Sequence, residues 1–479
     1  MIDRNDELKE LAIKEINEHR NTVEKDHYRS AFHLMPPVGL LNDPNGFIHW
    51  KGVYHVFFQW MPFKTNHGAK FWGHYTSTDL VNWELQPIAL APGDWYDKNG
   101  CYSGSAVVYE DKMYLFYTGN VKDEEGNRET YQCVAVSEDG IHFEKKGVVL
   151  HLPEGYTPHF RDPKVWQHLG KWYMVIGTQN LKEEGRVVIF ESANLMDWTF
   201  KGDVTASGEE AIGDLGFMWE CPDLFELDGK DILLFSPQGI EAEGYLYQNI
   251  YQTGYVSGEL DYESGKMRHG GFTELDRGFE FYAPQTTLDE NGRRLVIGWM
   301  GVPEQAEEHH PTIAHKWIHI LTIPRELHYE GERLIQRPAV ELEKMRNSEI
   351  AKEINLSNEH KEWSELNGTV YELLVQLEEV KGTFSVNLRN NASLTYDSSK
   401  ALLTFKRKSF VNGIEETRSC LIESVKELRF YVDSSSVEVF VNDGEEVFTS
   451  RFFPEESNES LVFEAVGNSK FQVTKWLLN

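Results

Sequence analysis

Five segments of the chain repeat one pattern at nearly constant spacing. In each, a turn with a small or charged residue introduces an apolar run: Gly52 to Phe58, Asp111 to Tyr117, Gly170 to Ile176, Gly229 to Phe235 and Gly292 to Gly298. The turn residues lie 59, 59, 59 and 63 positions apart. A second echo follows some of them, Ser77 to Trp83 and Ser192 to Trp198, with a weaker copy at Ser137 to Phe143. Runs this short, bounded by Gly, Asp and Asn, read as strands. A β unit repeated five times predicts five four-stranded blades around an axis, because each blade has apolar faces that only its neighbours can cover. The alternative is a rhythm of hairpins in a β-sandwich.

The rest of the chain frames this repeat. Residues 1–30 read as a helical extension, with Leu8, Leu11, Ala12 and Ile16 on one stripe among charges. Residues 31–337 hold the expected five-bladed β-propeller. Near 338 the rhythm stops, and residues 338–347 read as a linker helix. Residues 348–479 alternate in short runs: Thr369 to Leu377, Ser385 to Arg389, Leu428 to Val432, Val437 to Val441 and Phe471 to Leu478. Asn442-Asp443-Gly444 is a hairpin signal. These runs predict a C-terminal β-sandwich. The expected class is therefore all-β, with a short N-terminal helix.

The chemistry sits just ahead of the repeated turns. Asp43, in Asn42-Asp43-Pro44, lies 9 residues before its turn; Asp162, in Arg161-Asp162-Pro163, lies 8 before; Glu220, in Trp219-Glu220-Cys221-Pro222, lies 9 before. In a propeller the first strand of each blade lines the central channel. Equivalent positions of blades one, three and four then meet near the axis. Gathered carboxyls push their pKa values apart, so that one stays ionised while another holds a proton. Glycoside hydrolysis needs that division. A single Asp-Pro is more often a turn; three in register are not. The matching segments of blades two and five supply Tyr102, Ser103 and Tyr282. Gln59, near the end of a second strand, either reaches a sugar or is a solvated strand end.

The formal net charge of −30 disfavours nucleic acid and anionic membranes, and an anionic substrate would need a local basic patch. The 13 Trp and 21 Tyr suit stacking on sugar rings. His33, His49, His55, His74, His309 and His310 show no metal spacing, so no metal and no cofactor is expected. The four cysteines form no CxxC pair; two disulfides are conceivable, and free thiols in a cytoplasmic protein are the expectation. The N-terminus lacks the apolar core of a signal peptide, and no apolar run is long enough to span a membrane. Oligomeric state is not legible.

Seven motifs in order carry a family resemblance: Asn42 to Gly46, Phe57-Phe58-Gln59, Trp72-Gly73-His74, Tyr102 to Ser105, Phe160 to Pro163, Trp219 to Pro222 and Phe281-Tyr282-Ala283. They resemble glycoside hydrolase family 32, as do Asp433 to Phe440 and Ser450 to Pro454 near the C-terminus. The resemblance implies a β-fructofuranosidase with Asp43 as nucleophile, Glu220 as acid/base, and Asp162 on the fructose hydroxyls. Arg161 would hold a carboxylate ionised. Retention implies carboxyls of Asp43 and Glu220 about 5–5.5 Å apart. Two departures lie at the expected pocket wall: Leu40-Leu41, where many members have Trp-Met, and His67, where several have Trp. Leu40, Leu41, Asn42, Gln59, His67, Tyr102, Ser103, Arg161 and Tyr282 are the expected sugar contacts. The whole-chain pattern resembles the bacterial branch of the family that acts inside the cell on sucrose 6-phosphate. Lys64, His67 and Lys70 are then candidates for the phosphate, or simply solvated side chains. The rivals are hydrolysis of unphosphorylated sucrose or fructans, an arabinan-type five-bladed glycosidase, and a non-catalytic carbohydrate-binding propeller.

Overall fold

The computed structural model describes residues 3–479; the first two residues of the expected N-terminal extension lie outside them. Five antiparallel sheets follow one another along the chain. Their first strands are Gly39–Trp50, Cys101–Tyr109, Tyr156–His168, Met218–Leu227 and Tyr282–Leu288. Their second strands are Val53–Met61, Lys112–Lys122, Lys171–Asn180, Lys230–Gln238 and Arg294–Trp299, each entered through one of the five repeated turns. The sheets form a five-bladed propeller. Separate buried clusters lie between blades one and two (Phe57, Trp72, Leu115), two and three (Phe116, Met174, Ile176), three and four (Val175, Trp219, Phe235), and four and five (Phe225, Leu234, Val296). Between blades five and one, Trp317–Ile318 pairs in parallel with Gly39 and Leu40.

The second echo has a local cause. Asp79 and Asn194 accept backbone N–H bonds two and three residues on, and Trp83 and Trp198 each donate to the carbonyl three residues back. The motif is the turn from third to fourth strand.

Every first strand is bulged at the same place. Ladder register slips between Leu41 and Pro44, Cys101 and Gly104, Arg161 and Lys164, Glu220 and Asp223, and Tyr282 and Gln285. A bulge re-aims side chains and ends regular pairing. Proline tolerates it because no ladder N–H is needed, and Pro44, Pro163, Pro222 and Pro284 occupy four of the five. The backbone is left-handed at Asp162 (φ 67°), Cys221 (φ 49°) and Ala283 (φ 49°), a strain of about 1 kcal/mol or more each. Below the bulges a polar layer plugs the axis. Lys164 donates to Asp223 at 2.9 Å and to the Thr286 carbonyl, Ser105 donates to the Pro163 carbonyl, and Gln285 donates to the Gly104 carbonyl.

The N-terminal helix is Arg4–Glu24, capped by Asp3. Ala12 is buried, and Leu8 and Ile16 pack beside it on the blade-one side. Leu11, expected on the same stripe, is 45% exposed. At the expected linker helix the chain makes only a single 3₁₀ segment, Val340–Met345.

In the C-terminal domain the two runs expected at 369–377 and 385–389 are halves of one strand, Tyr371–Leu388. It pairs along its length with Leu461–Leu478. On its other side the first half pairs with Glu427–Asp433 and the second with Ala392–Asp397. The sheet therefore divides and folds over a core that includes Leu373, Phe384, Phe405, Phe430 and Phe463, which makes the sandwich. The division falls at Gly382 and Gly467, which face each other across the ladder with φ 100° and 97°. A Cβ on either would meet a facing carbonyl oxygen at 2.1 or 2.0 Å.

Propeller and sandwich meet across buried charge. Arg325 binds Glu438 (2.5 Å), Asp276 (3.2 Å) and Thr449. His33 lies between Asp433 (2.7 Å) and Glu438 (2.9 Å). Burial disfavours the imidazolium, but hydrogen bonds to both carboxylates outweigh it and raise the His33 pKa. Arg325→Met should cost about 3–5 kcal/mol in chemical denaturation, because Glu438 and Asp276 lose a buried partner. A loss below 1 kcal/mol refutes this. A raised imidazole pKa favours the fold below its unfolded value of about 6.5 and loses that effect as pH rises through the folded value. The stability gap between wild type and His33→Phe should therefore narrow as pH rises; a constant gap refutes the charged pair.

Candidate active site

The bulges open on one cavity of about 640 Å³ at the end of the axis. Asn42, Asp43, Gln59, His67, Tyr102, Ser103, Arg161, Asp162, Glu220 and Tyr282 all line it. Each of the five bulges contributes, in blades one to three through two consecutive residues and in four and five through Glu220 and Tyr282. The next residues of those last two bulges, Cys221 and Ala283, are packed beneath.

Asp43 accepts from Ser103 Oγ at 2.5 Å and from Asn42 Nδ2 at 3.1 Å. The Cys221 thiol lies between two carboxyls, 3.7 Å from Asp43 Oδ2 and 3.5 Å from Asp162 Oδ2. The Cys221 N–H also donates to Asp162 at 2.9 Å. Glu220 has the most partners. Arg161 Nε donates to its Oε1 at 2.8 Å and Nη2 at 2.6 Å, while Tyr282 and Gln238 each donate to Oε2 at 2.7 Å.

These surroundings separate the three acids. Burial and then the charge of Glu220 push Asp162 up to about 7. Burial also raises Asp43, with the Ser103 and Asn42 donors acting against it. Burial would raise Glu220 too, but the Arg161 charge and the Tyr282 and Arg161 hydrogen bonds hold it below the usual carboxylate range. The surroundings therefore favour the ionised form most at Glu220 and the protonated form at Asp162 and Asp43.

Leu40 and Leu41 do not line the cavity. Both are fully buried, Leu40 against Met61 and Ile318 and Leu41 in the cluster that joins blades five and one. They precede the bulge, where the strand still faces apolar neighbours. Of the three phosphate candidates, Lys70 and His67 line the cavity but already have partners. Lys70 is buried, donates to Asn42 Oδ1 at 2.6 Å, and is lowered by burial to about 7. His67 is paired with Glu307 at 3.0 Å. Lys64 is exposed and outside the lining. Sequence reasoning missed Gln238, Asn120, Lys122, Arg128 and His159, which line the cavity. A polar residue closing an apolar second strand, as at Gln59, Asn120 and Gln238, was the available signal. Among the described residues no group of three His, Cys, Asp or Glu side chains is arranged to hold a metal ion, and no helix is long and apolar enough to cross a membrane. Cys101, Cys133, Cys221 and Cys420 are buried free thiols.

Residues 33–338 match the glycosyl hydrolases family 32 N-terminal domain, and residues 341–476 match the family's C-terminal domain. The chain belongs to glycosyl hydrolase family 32. It is 52% identical to the sucrose-6-phosphate hydrolase of Bacillus subtilis (strain 168) over 98% of both chains. It is 44% identical to that of Salmonella typhimurium over 93% of both. The solved structure of sucrose-6-phosphate hydrolase from Lactobacillus gasseri superposes with a TM-score of 0.88 at 31% identity, covering 98% of this chain and 96% of that one. The chain is thus a glycoside hydrolase on a propeller scaffold.

Ser103→Ala removes a donor that favours ionised Asp43. The acid limb of kcat/KM against pH should move to higher pH, with a loss of about 10–100-fold, the worth of a hydrogen bond to a charged group. An unmoved limb refutes the contact.

Proposed function

We propose that this glycoside hydrolase cleaves the fructosyl bond of sucrose 6-phosphate to fructose and glucose 6-phosphate, with retention at the anomeric carbon. The gathering of Asp43, Asp162 and Glu220 around one cavity supports the chemistry. The 52% identity to the Bacillus subtilis enzyme over nearly the whole of both chains supports the substrate. Four free thiols suit a reducing compartment, and the cytoplasm is the proposed location.

Asp43 is the nucleophile. Its Oδ attacks the anomeric carbon as the bond to the glucosyl oxygen breaks, and Glu220 protonates that oxygen. Glu220 then takes a proton from water, whose oxygen displaces Asp43 and frees fructose. Asp162 accepts hydroxyls of the fructosyl ring and faces the positive charge that develops on it. These roles reverse the tendency of the surroundings: Glu220 must carry a proton when it acts as acid, and Asp162 must be ionised. Substrate hydroxyls favour the Asp162 anion, while a filled cavity deprives Glu220 of water, and burial is the force that raises its carboxyl. Arg161, bonded to Glu220, fits its anion before binding and again after proton donation.

Measured side by side, kcat/KM should be higher on sucrose 6-phosphate than on sucrose; equal or better values on sucrose overturn the phosphate assignment. Asp43→Asn should lose roughly four orders of magnitude in kcat while remaining folded. Glu220→Gln should lose about 10²–10⁴-fold on sucrose 6-phosphate and much less on fructosyl fluoride, whose leaving group needs no proton. Equal losses on both substrates refute the acid role.

A further inference from the structure

The blade-two wall of the cavity carries charge that the chemistry above does not use. Lys122 and Arg128 are the last opposed pair of the hairpin Lys112–Lys122 and Arg128–Ser137. Opposed residues of an antiparallel ladder project to one face, where like charges repel. Both line the cavity. Among the described residues neither joins an ion pair, whereas Arg161 is held by Glu220 and Lys145 by Asp97. Of the acids in the turn between them, Asp123 is engaged by Asn127. Arg128 lies over the Tyr102 ring, 5.7 Å from its centroid, and burial, with Arg161 acting in the same sense, makes its charge costly.

Two neighbours complete the wall. His159 Nδ1 accepts from Arg161 at 3.0 Å, so the neutral ring carries its proton on Nε2, as a donor. Burial and the charges of Arg161, Arg128 and Lys122 keep it neutral. Asn120 is 2% exposed, and its Oδ1 has no hydrogen-bond partner. A buried acceptor left open costs free energy unless a ligand fills it. The chain carries a net charge of −30, so two opposed cations without an ion-pair partner on the wall of this cavity form a local basic patch that favours an anion.

We propose that Lys122 and Arg128, with the Nε2–H of His159, bind the phosphate dianion on the glucosyl half of the substrate, and that Asn120 Oδ1 accepts a hydroxyl of the same sugar. The inference rests on the sucrose 6-phosphate reading and assigns its specificity to one hairpin end. Arg supplies a planar fork and Lys a point charge, the usual division of labour at a phosphate.

The test is the ratio of kcat/KM on sucrose 6-phosphate to that on sucrose, for wild type, Arg128→Gln, Lys122→Gln and the double variant. Arg128→Gln should lower the ratio about 10–100-fold, Lys122→Gln by less, and the double variant most. Inhibition of sucrose hydrolysis by glucose 6-phosphate should weaken in the same order and exceed inhibition by inorganic phosphate. A wild-type ratio above one that survives in the double variant overturns this assignment and leaves the proposed substrate standing. Parallel losses on both substrates also overturn it, since a structural role moves both. A wild-type ratio at or below one removes the substrate reading, and this inference with it.

Discussion

Three carboxyl groups from separate blades face one cavity, where burial and mutual repulsion both disfavour their charge. The arrangement survives because each acid is fixed by groups from a different blade: Asp43 by Ser103 of blade two, Asp162 by the Cys221 N–H of blade four, Glu220 by Arg161 of blade three and Tyr282 of blade five. Donors from the acid's own blade, Asn42 to Asp43 and Gln238 to Glu220, add to these. The polar plug beneath, from Lys164 to Asp223 and Thr286, ties the same blades below the cavity floor. Repulsion among the acids is thereby divided unequally, which lowers Glu220 and raises Asp162.

The repeat was legible because blades bury apolar faces against one another, and that demand recurs in every unit. The bulge was legible only in part. Asp-Pro at 43–44 and 162–163, Cys-Pro at 221–222 and Ala-Pro at 283–284 mark one place in four first strands. A proline inside a strand signals broken pairing, so the set pointed to more than the acids beside it. The acids themselves were found by register. Leu40 and Leu41 entered the expected contacts through the resemblance, as the pair that stands where many members have Trp-Met, but they precede the bulge, where the strand still faces apolar neighbours.

Cations were harder to place than acids. Lys64, His67 and Lys70 lie together in sequence after Gln59, but sequence does not show which charges already have partners. Lys70 is spent on Asn42 and His67 on Glu307. Lys122 and Arg128 flank an acidic turn and look like a solvated hairpin end. Only the ladder register shows that they oppose each other, and only the cavity shows that they face inward. Arg346–Glu362 hid for a similar reason. Its charges obscure the alternation of a 17-residue strand that is mostly exposed and pairs along Leu461–Leu478.

The sandwich lends no residue to the cavity lining, yet it reaches the chemistry. Its Arg407 binds Glu280 at 2.7 Å, and the Arg451 N–H donates to the same carboxylate at 2.8 Å. Asp276, four residues earlier, accepts from Thr449 and Arg325. The segment from Asp276 to Glu280 is thus clamped to the second domain immediately before Tyr282, whose hydroxyl bonds Glu220. Removing one partner of such a buried pair would leave the other charge uncompensated, so the segment is held in one register. The contacts that join the two domains therefore also fix the segment that leads into the strand of Tyr282, one of the groups that hold Glu220 with Arg161 and Gln238.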